Sequence, residues 1–286
     1  MDCLKNRKIG LVLSGGAAKG AYQAGMLKAL EELEIADNIE AISGCSVGAL
    51  NAMLFSVGGW EAVYNDLLDF PSIFALSKVL DDKTVRESKR LVREGKVSLE
   101  EYISSPRFGQ CITEKFTAHL SLTATDEKLN KLKRRIYVCC YNLEKQQPEY
   151  FCLNGLSPHD QRLLIGASGA VPFLYPPAEY KAYHYLDGGI VPAICSRPAP
   201  ADKTPLKPLY NDSTDTVIVN LIDLSDKADK AYMKPDVRYI ELRPSKVLEK
   251  RTGADTMNFS PENLKKYLDL GYYDTLRSFE NFESPR

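Results

Sequence analysis

The stretch Glu40-Ala41-Ile42-Ser43-Gly44-Cys45-Ser46-Val47-Gly48-Ala49-Leu50-Asn51-Ala52 decides the fold. Glu40–Ser43 reads as a short strand, and Val47, Leu50, Leu54 and Val57 recur at helical spacing. Gly44-Cys45-Ser46-Val47-Gly48 therefore falls on a strand-to-helix turn. A serine on such a turn points away from the sheet, and flanking glycines remove side chains that would clash. The helix that follows aims its free amides and positive dipole end at the hydroxyl. Gly-x-Ser-x-Gly alone is also met as a plain helix cap with tight packing, so its neighbours must decide.

Just upstream, Ile9–Ser14 is a short apolar run ending in glycines, as a fully buried strand would be. Ala21, Ala24, Leu27, Leu30 and Leu33 then mark a helix from Ala18 to Leu33, whose small first turns let it approach a sheet closely. A β-α-β-α opening of this kind predicts a parallel sheet covered by helices. Downstream, residues 60–133 read as helical, with segments Trp60–Asp69, Thr84–Gly95 and Thr113–Leu122. Arg135–Leu143 and Glu149–Leu153 read as adjacent strands and Pro158–Ala167 as a helix. Tyr180–Leu186, Thr216–Ile222 and Val237–Leu242 are three further strands. Ser260-Pro261-Glu262 starts the closing helix with a capping hydroxyl, a proline and an acid. Pro198, Pro200, Pro205 and Pro208 make residues 197–215 a loop with room to move. One α/β domain over residues 1–286 is the expected architecture.

Composition narrows the partners. With 37 basic and 38 acidic side chains the formal charge is −1, without the basic excess of a nucleic-acid binder. The 7 cysteines contain no Cys-x-x-Cys pair, and the 3 histidines at 119, 159 and 184 are dispersed, so neither a disulfide scaffold nor a zinc site is indicated. Ile9–Leu13 is too short for a signal-peptide core, and the uncharged run Ile42–Trp60 carries Gly44, Gly48, Gly58, Gly59 and Asn51, a poor spanning helix. These features point to a soluble protein of the reducing cytoplasm.

Gly15-Gly16-Ala17-Ala18-Lys19-Gly20 follows the first strand. Glycines there let successive amides converge on a phosphate or an oxyanion. A Walker loop needs Lys and then Ser or Thr directly after the second glycine, where Ala21 and Tyr22 follow Gly20, and a dinucleotide fingerprint needs glycine at 17, which is alanine. An oxyanion hole serving Ser46 fits better. Tyr185-Leu186-Asp187-Gly188-Gly189 places an acid at a strand end, which by itself is a routine turn.

Taken together, these patches resemble the patatin-like phospholipases, serine lipid acyl hydrolases with a Ser–Asp dyad. The resemblance rests on Gly15-Gly16-x-x-Lys19-Gly20, on Gly44-x-Ser46-x-Gly48-Ala49-Leu50-Asn51-Ala52, on Ala167-Ser168-Gly169-Ala170-Val171-Pro172-Phe173, and on Asp187-Gly188-Gly189, in that family's order. It implies a three-layer α/β/α fold with a mainly parallel sheet and a helical cap at 60–133. It further implies Ser46 as nucleophile, Asp187 as base, and the amides of Gly15, Gly16 and Ala17 as oxyanion hole. No cofactor or metal is implied, since every reacting group belongs to the protein. The chain departs from the family in reading Ile190-Val191-Pro192 after the Asp motif, where an asparagine and then a proline are frequent.

The expected activity is hydrolysis of phospholipid or lysophospholipid acyl esters. Two alternatives stay open: an acyltransferase or thioesterase with the same acyl-enzyme, and a non-catalytic phosphate or nucleotide binder using Gly15–Gly20. Phe70, Ile73, Phe74 and Leu76 are candidates to line an acyl channel or touch a bilayer, with packing of the cap as the rival role. Lys128, Lys131, Lys133, Arg134 and Arg135 form a basic cluster suited to anionic head groups or simply to a solvated helix face. No histidine follows Asp187, so the Ser–acid–His order of an α/β-hydrolase triad cannot be completed with that acid. Cys45 reads as buried packing.

Overall fold

The computed structural model describes residue 4 and residues 6–75, 82–109, 113–224, 226–248 and 256–283. The chain runs β1 (Ile9–Leu13), α1 (Gly20–Glu32), β2 (Ile39–Cys45), α2 (Val47–Ala75), α3 (Asp82–Arg93), α4 (Leu99–Ser104), α5 (Thr113–Thr123) and α6 (Asp126–Leu129). It continues through β3 (Arg135–Asn142), β4 (Gln147–Cys152), α7 (Pro158–Ser168), β5 (Ala178–Tyr180), β6 (Tyr183–Asp187), α8 (Lys207–Tyr210), β7 (Thr216–Asn220), β8 (Arg238–Leu242) and α9 (Pro261–Glu283). The strands form one mixed sheet in the order β5-β6-β3-β2-β1-β7-β8, with β4 also on β3. β3, β2, β1, β7 and β8 are mutually parallel, as the opening predicts, while β4 and β6 run antiparallel to β3.

Alternation along β1 divides the core. Ile9, Leu11 and Leu13 join the large cluster under α1, α2, α7 and α9. Val12 faces a smaller cluster with Leu206, Leu209, Val217 and Val219. The second face is thus covered by the 197–237 segment, whose only α-helix among the described residues is the short α8. Small residues on α1 serve its neighbours more than the sheet. A Cβ on Gly25 would lie 1.9 Å from the Leu268 carbonyl oxygen of α9, and one on Gly271 would lie 2.0 Å from that of Tyr22. The two helices cross backbone to backbone at these glycines.

Inside α2, Gly59 has φ 71°, which breaks the helix where two separate helices are expected. The Glu31 carboxylate accepts the Trp60 N–H there at 3.1 Å, capping the second half. The predicted strand Tyr180–Leu186 is in fact two, β5 and β6, folded into a hairpin. Lys181 and Ala182 take positive φ at its turn, a conformation that neither residue type signals. Among the described residues no helix is long and apolar enough to cross a membrane.

The basic cluster does not gather at the end of the sheet where Ser46 lies. Arg135 starts β3 and pairs with Asp212 and Glu40, while Arg134 donates to the carbonyls of Ile39 and Ala36. Both guanidinium groups sit at the amino ends of the parallel strands, opposite Ser46, and serve to hold chain segments there.

Candidate active site

Ser46 stands between the last residue of β2 and the first of α2, half-buried, with φ 55°. The turn leaves no space beside it. A Cβ on Gly44 would lie 2.4 Å from the Gly48 carbonyl oxygen, and one on Gly48 would lie 2.2 Å from that of Leu13. The Ser46 N–H donates to Ser168 Oγ at 2.9 Å, and the Ser168 hydroxyl donates to the Cys139 carbonyl at 2.6 Å. Ser168, at the end of α7, therefore ties the elbow to β3, a duty its place in the motif did not reveal.

The sheet itself brings Asp187 to Ser46. On β3, Arg135–Cys139 pair with β2 and Cys140–Asn142 pair with β6, while β4 takes the opposite edge along Tyr137–Asn142. β2 and β6 therefore lie end to end along one edge of β3, with Cys45 opposite Cys139 and Asp187 opposite Cys140. Two strands arriving from opposite directions deliver the serine and the acid to one point. Asp187 is 2% exposed and accepts the Gly189 N–H at 2.9 Å. Burial pushes its carboxyl up to about 6, against the opposing pull of the Ser46 hydroxyl, the Gly189 amide and the Lys203 charge. Gly188 has no space for a side chain, its Cβ position lying 2.5 Å from the Cys139 carbonyl oxygen. Cys45 is buried as expected, with its sulfur 3.9 Å from the Asp187 carboxylate.

The glycine loop closes over the elbow. A Cβ on Gly15 would come 3.1 Å from that of Ser46, a tight contact that the absence of a side chain relieves. The Gly15 N–H is occupied, donating to the Lys203 carbonyl at 3.0 Å. Gly16 and Ala17 are half-exposed, and their N–H groups have no partner among the described residues. Behind them Asn51 Nδ2 donates to the Gly20 carbonyl and to Gln23 Oε1, and Gln23 Nε2 donates to the Ser14 carbonyl. Lys19 is 3% exposed, and its ammonium pairs with Asp223 at 2.7 Å. A phosphate cradle would draw on the Gly15 amide and the Lys19 ammonium, and both are already engaged.

A cavity of about 730 Å³, counting its open mouth, reaches Ser46. Leu50, Leu67, Phe70, Phe116, Ile165 and Phe259 give it an apolar lining. Phe70 stacks on Phe259 with ring centroids 4.5 Å apart. The 60–133 region thus supplies walls from α2 and α5, while the side chains of Ile73, Phe74 and Leu76 lie outside the described residues. The histidines are elsewhere: His119 bonds Asp66 at 3.0 Å, His184 bonds Glu144 at 2.7 Å, and His159 is exposed on α7.

The family model of the patatin-like phospholipases matches residues 11–199, which include the elbow, the glycine loop and Asp187. The chain belongs to the patatin-like phospholipase family. Lysophospholipase NTE1 of Cryptococcus neoformans is 28% identical over 241 residues, which are 80% of this chain and 12% of that protein. The probable lipid hydrolase 463L of Invertebrate iridescent virus 6 is 26% identical over 182 residues, 63% of this chain and 59% of the viral protein. The chain spans only 11–12% of the length of the NTE1 lysophospholipases it matches. Among solved structures, VipD from Legionella pneumophila superposes with a TM-score of 0.47 at 15% identity, covering 96% of this chain and 67% of that one.

Proposed function

We propose that this chain is a serine-dependent hydrolase of lipid acyl esters, phospholipid or lysophospholipid, acting through an acyl-enzyme on Ser46 with Asp187 as base. The observation that supports this reading is the end-to-end meeting of β2 and β6, which sets Ser46 beside a buried carboxylate and against an apolar cavity that Ser46 helps to line. Asp187 takes the Ser46 proton as Oγ attacks the ester carbonyl carbon. The negative oxygen of the tetrahedral intermediate accepts from the open amides of Gly16 and Ala17. Collapse breaks the ester bond, and Asp187 returns the proton to the departing alcohol. Water then repeats the sequence on the acyl-enzyme, releasing the fatty acid and restoring Ser46. The apolar side chains that line this cavity beside Ser46 suit a fatty acyl chain.

The test is an ester panel of graded chain length, given as monomers and in vesicles, alongside a fluorophosphonate probe. Labelling confined to Ser46 and fatty-acid release that improves with chain length are expected. An unlabelled, folded protein would overturn the reading and leave a binding role for the glycine loop.

A base at the position of Asp187 also sets the pH dependence. Its carboxylate must be ionised to accept a proton, so kcat/KM is expected to rise with pH through a midpoint near 6. The same acid limb is expected in His119→Ala, His159→Ala and His184→Ala, each keeping at least about a third of wild-type rate, because none of them meets Ser46. A folded histidine variant as inactive as one lacking Ser46 would require a triad instead.

A further inference from the structure

The proline-bearing segment after Asp187 is pinned to both halves of the site. The Asp202 N–H donates to the Gly188 carbonyl at 2.9 Å, and the Lys203 carbonyl accepts the Gly15 N–H at 3.0 Å. Thr204 Oγ1 and Ser14 Oγ lie 2.8 Å apart. Three successive residues thus reach the turn of the acid, the glycine loop and the end of β1.

What holds this segment in place is the Lys203 side chain. Its ammonium bonds Asp223, and it bonds Asp226 at 3.0 and 3.2 Å. Both carboxylates lie in the loop after β7, the strand beside β1. Asp223 also takes the Lys19 ammonium, so one carboxylate links the glycine loop to Lys203. This cluster occupies the carboxyl ends of β1 and β7, where the strand order reverses direction and a parallel sheet opens a crevice.

We propose that Lys203 is a positioning residue of this site: its main chain seats the Gly15 loop beside the turn that follows Asp187, and its ammonium, fixed between Asp223 and Asp226, anchors that main chain. The inference rests on the reading of Ser46 and Asp187 given above. Lys203 is the cation that opposes protonation of Asp187. Among the described residues the other titratable groups facing that carboxylate are thiols, Cys45 from β2 and Cys139 and Cys140 from β3. Asp202 lies nearby with its carboxylate held by the Tyr150 hydroxyl at 2.7 Å. Without the Lys203 charge, Asp226 would lose this cation and Asp223 would keep only Lys19, leaving the cluster with a net negative charge beside the site. Protonation of Asp187 would then become easier.

Removing the charge while keeping the stem, as in Lys203→Met, tests this directly, because the 31% exposed side chain lies outside the main core. The acid limb of kcat/KM is expected to move to higher pH by about half a pH unit. At neutral pH kcat is expected to fall about tenfold or more with KM within about twofold, since the loop that orients the oxyanion donors loses its anchor. Lys203→Arg, which can still meet both carboxylates, should restore the wild-type limb. Asp226→Asn supplies the opposite sign: it frees the ammonium of one counter-charge, so the limb should move to lower pH. That variant decides the matter if Lys203→Met does not fold.

A wild-type acid limb in the folded methionine variant, or limbs moving the same way in both variants, would overturn the inference. A loss of rate that only follows melting temperature would overturn it too. Ser46→Ala is measured beside them. If it is inactive, those failures fall on Lys203 alone, whereas an active Ser46→Ala removes the proposed site and this inference with it.

Discussion

Alanine in place of Ser46 is expected to remove nearly all ester turnover while leaving the melting curve close to that of the wild type. The scaffold of the elbow is made from the backbone of this residue. Its N–H bonds Ser168, and its carbonyl accepts from Ala49 and Leu50. The positive φ is retained, since alanine meets the same strain there as serine. The hydroxyl therefore contributes little structure, and on the proposed reading its part is chemical. Without it no acyl-enzyme can form, and nucleophile removals in serine hydrolases cost far more than a hundredfold. Steady-state rates on a long-chain ester, with circular dichroism melts in parallel, check both halves. Residual activity above about a hundredth of wild type, shown to be free of contaminants, would move the nucleophile elsewhere.

Asp187→Asn is expected to be nearly as inactive and, at neutral pH, more stable. The two side chains have the same shape, and the amide oxygen can still accept the Gly189 N–H. What disappears is the proposed base, worth on the order of 10²–10⁴ in rate. The stability effect has a definite sign. Burial raises the folded carboxyl from 3.8 to about 6, so the folded state binds the proton more tightly than the unfolded chain. Stability then falls as pH rises through that window and stays reduced above it, by on the order of 2–3 kcal/mol at full ionisation. Asparagine carries no such charge. The variant should melt higher than wild type at pH 7, and the difference should shrink as the pH falls from about 6 to about 4. Equal melting temperatures at pH 7 and pH 4 would show that the carboxylate is not held against its environment.

Most elements were legible because their signals are local. The Gly-x-Ser-x-Gly turn announces itself by lying where a strand period gives way to a helical one. The cap of α7 has Ser157 accepting from Asp160 ahead of Pro158, and α9 starts at Pro261 with Ser260 accepting the Asn263 N–H. The β5–β6 hairpin escaped because Lys181 and Ala182 are not turn formers, and the alternation of strand residues runs straight across them. The arginines at 134 and 135 are neighbours of three lysines along the chain. Proximity in sequence says nothing about which end of a sheet a charge will occupy.

The order of motifs, the strand-to-helix placement of Ser46 and the parallel opening of the sheet belong to the sequence alone, since each follows from spacing within a few dozen residues. Tertiary structure alone decided that β6 meets β2 head-on along β3, because periodicity marks a segment as a strand without choosing its partner or direction. It also decided the role of the proline-bearing loop. Prolines leave that segment irregular apart from the short α8, but the carbonyl of Lys203 and the amide of Asp202 gain their meaning only from Gly15 and Gly188, which stand 188 and 14 positions away along the chain. Backbone groups are identical in every residue, so which of them face the site depends on how the finished sheet brings distant segments together.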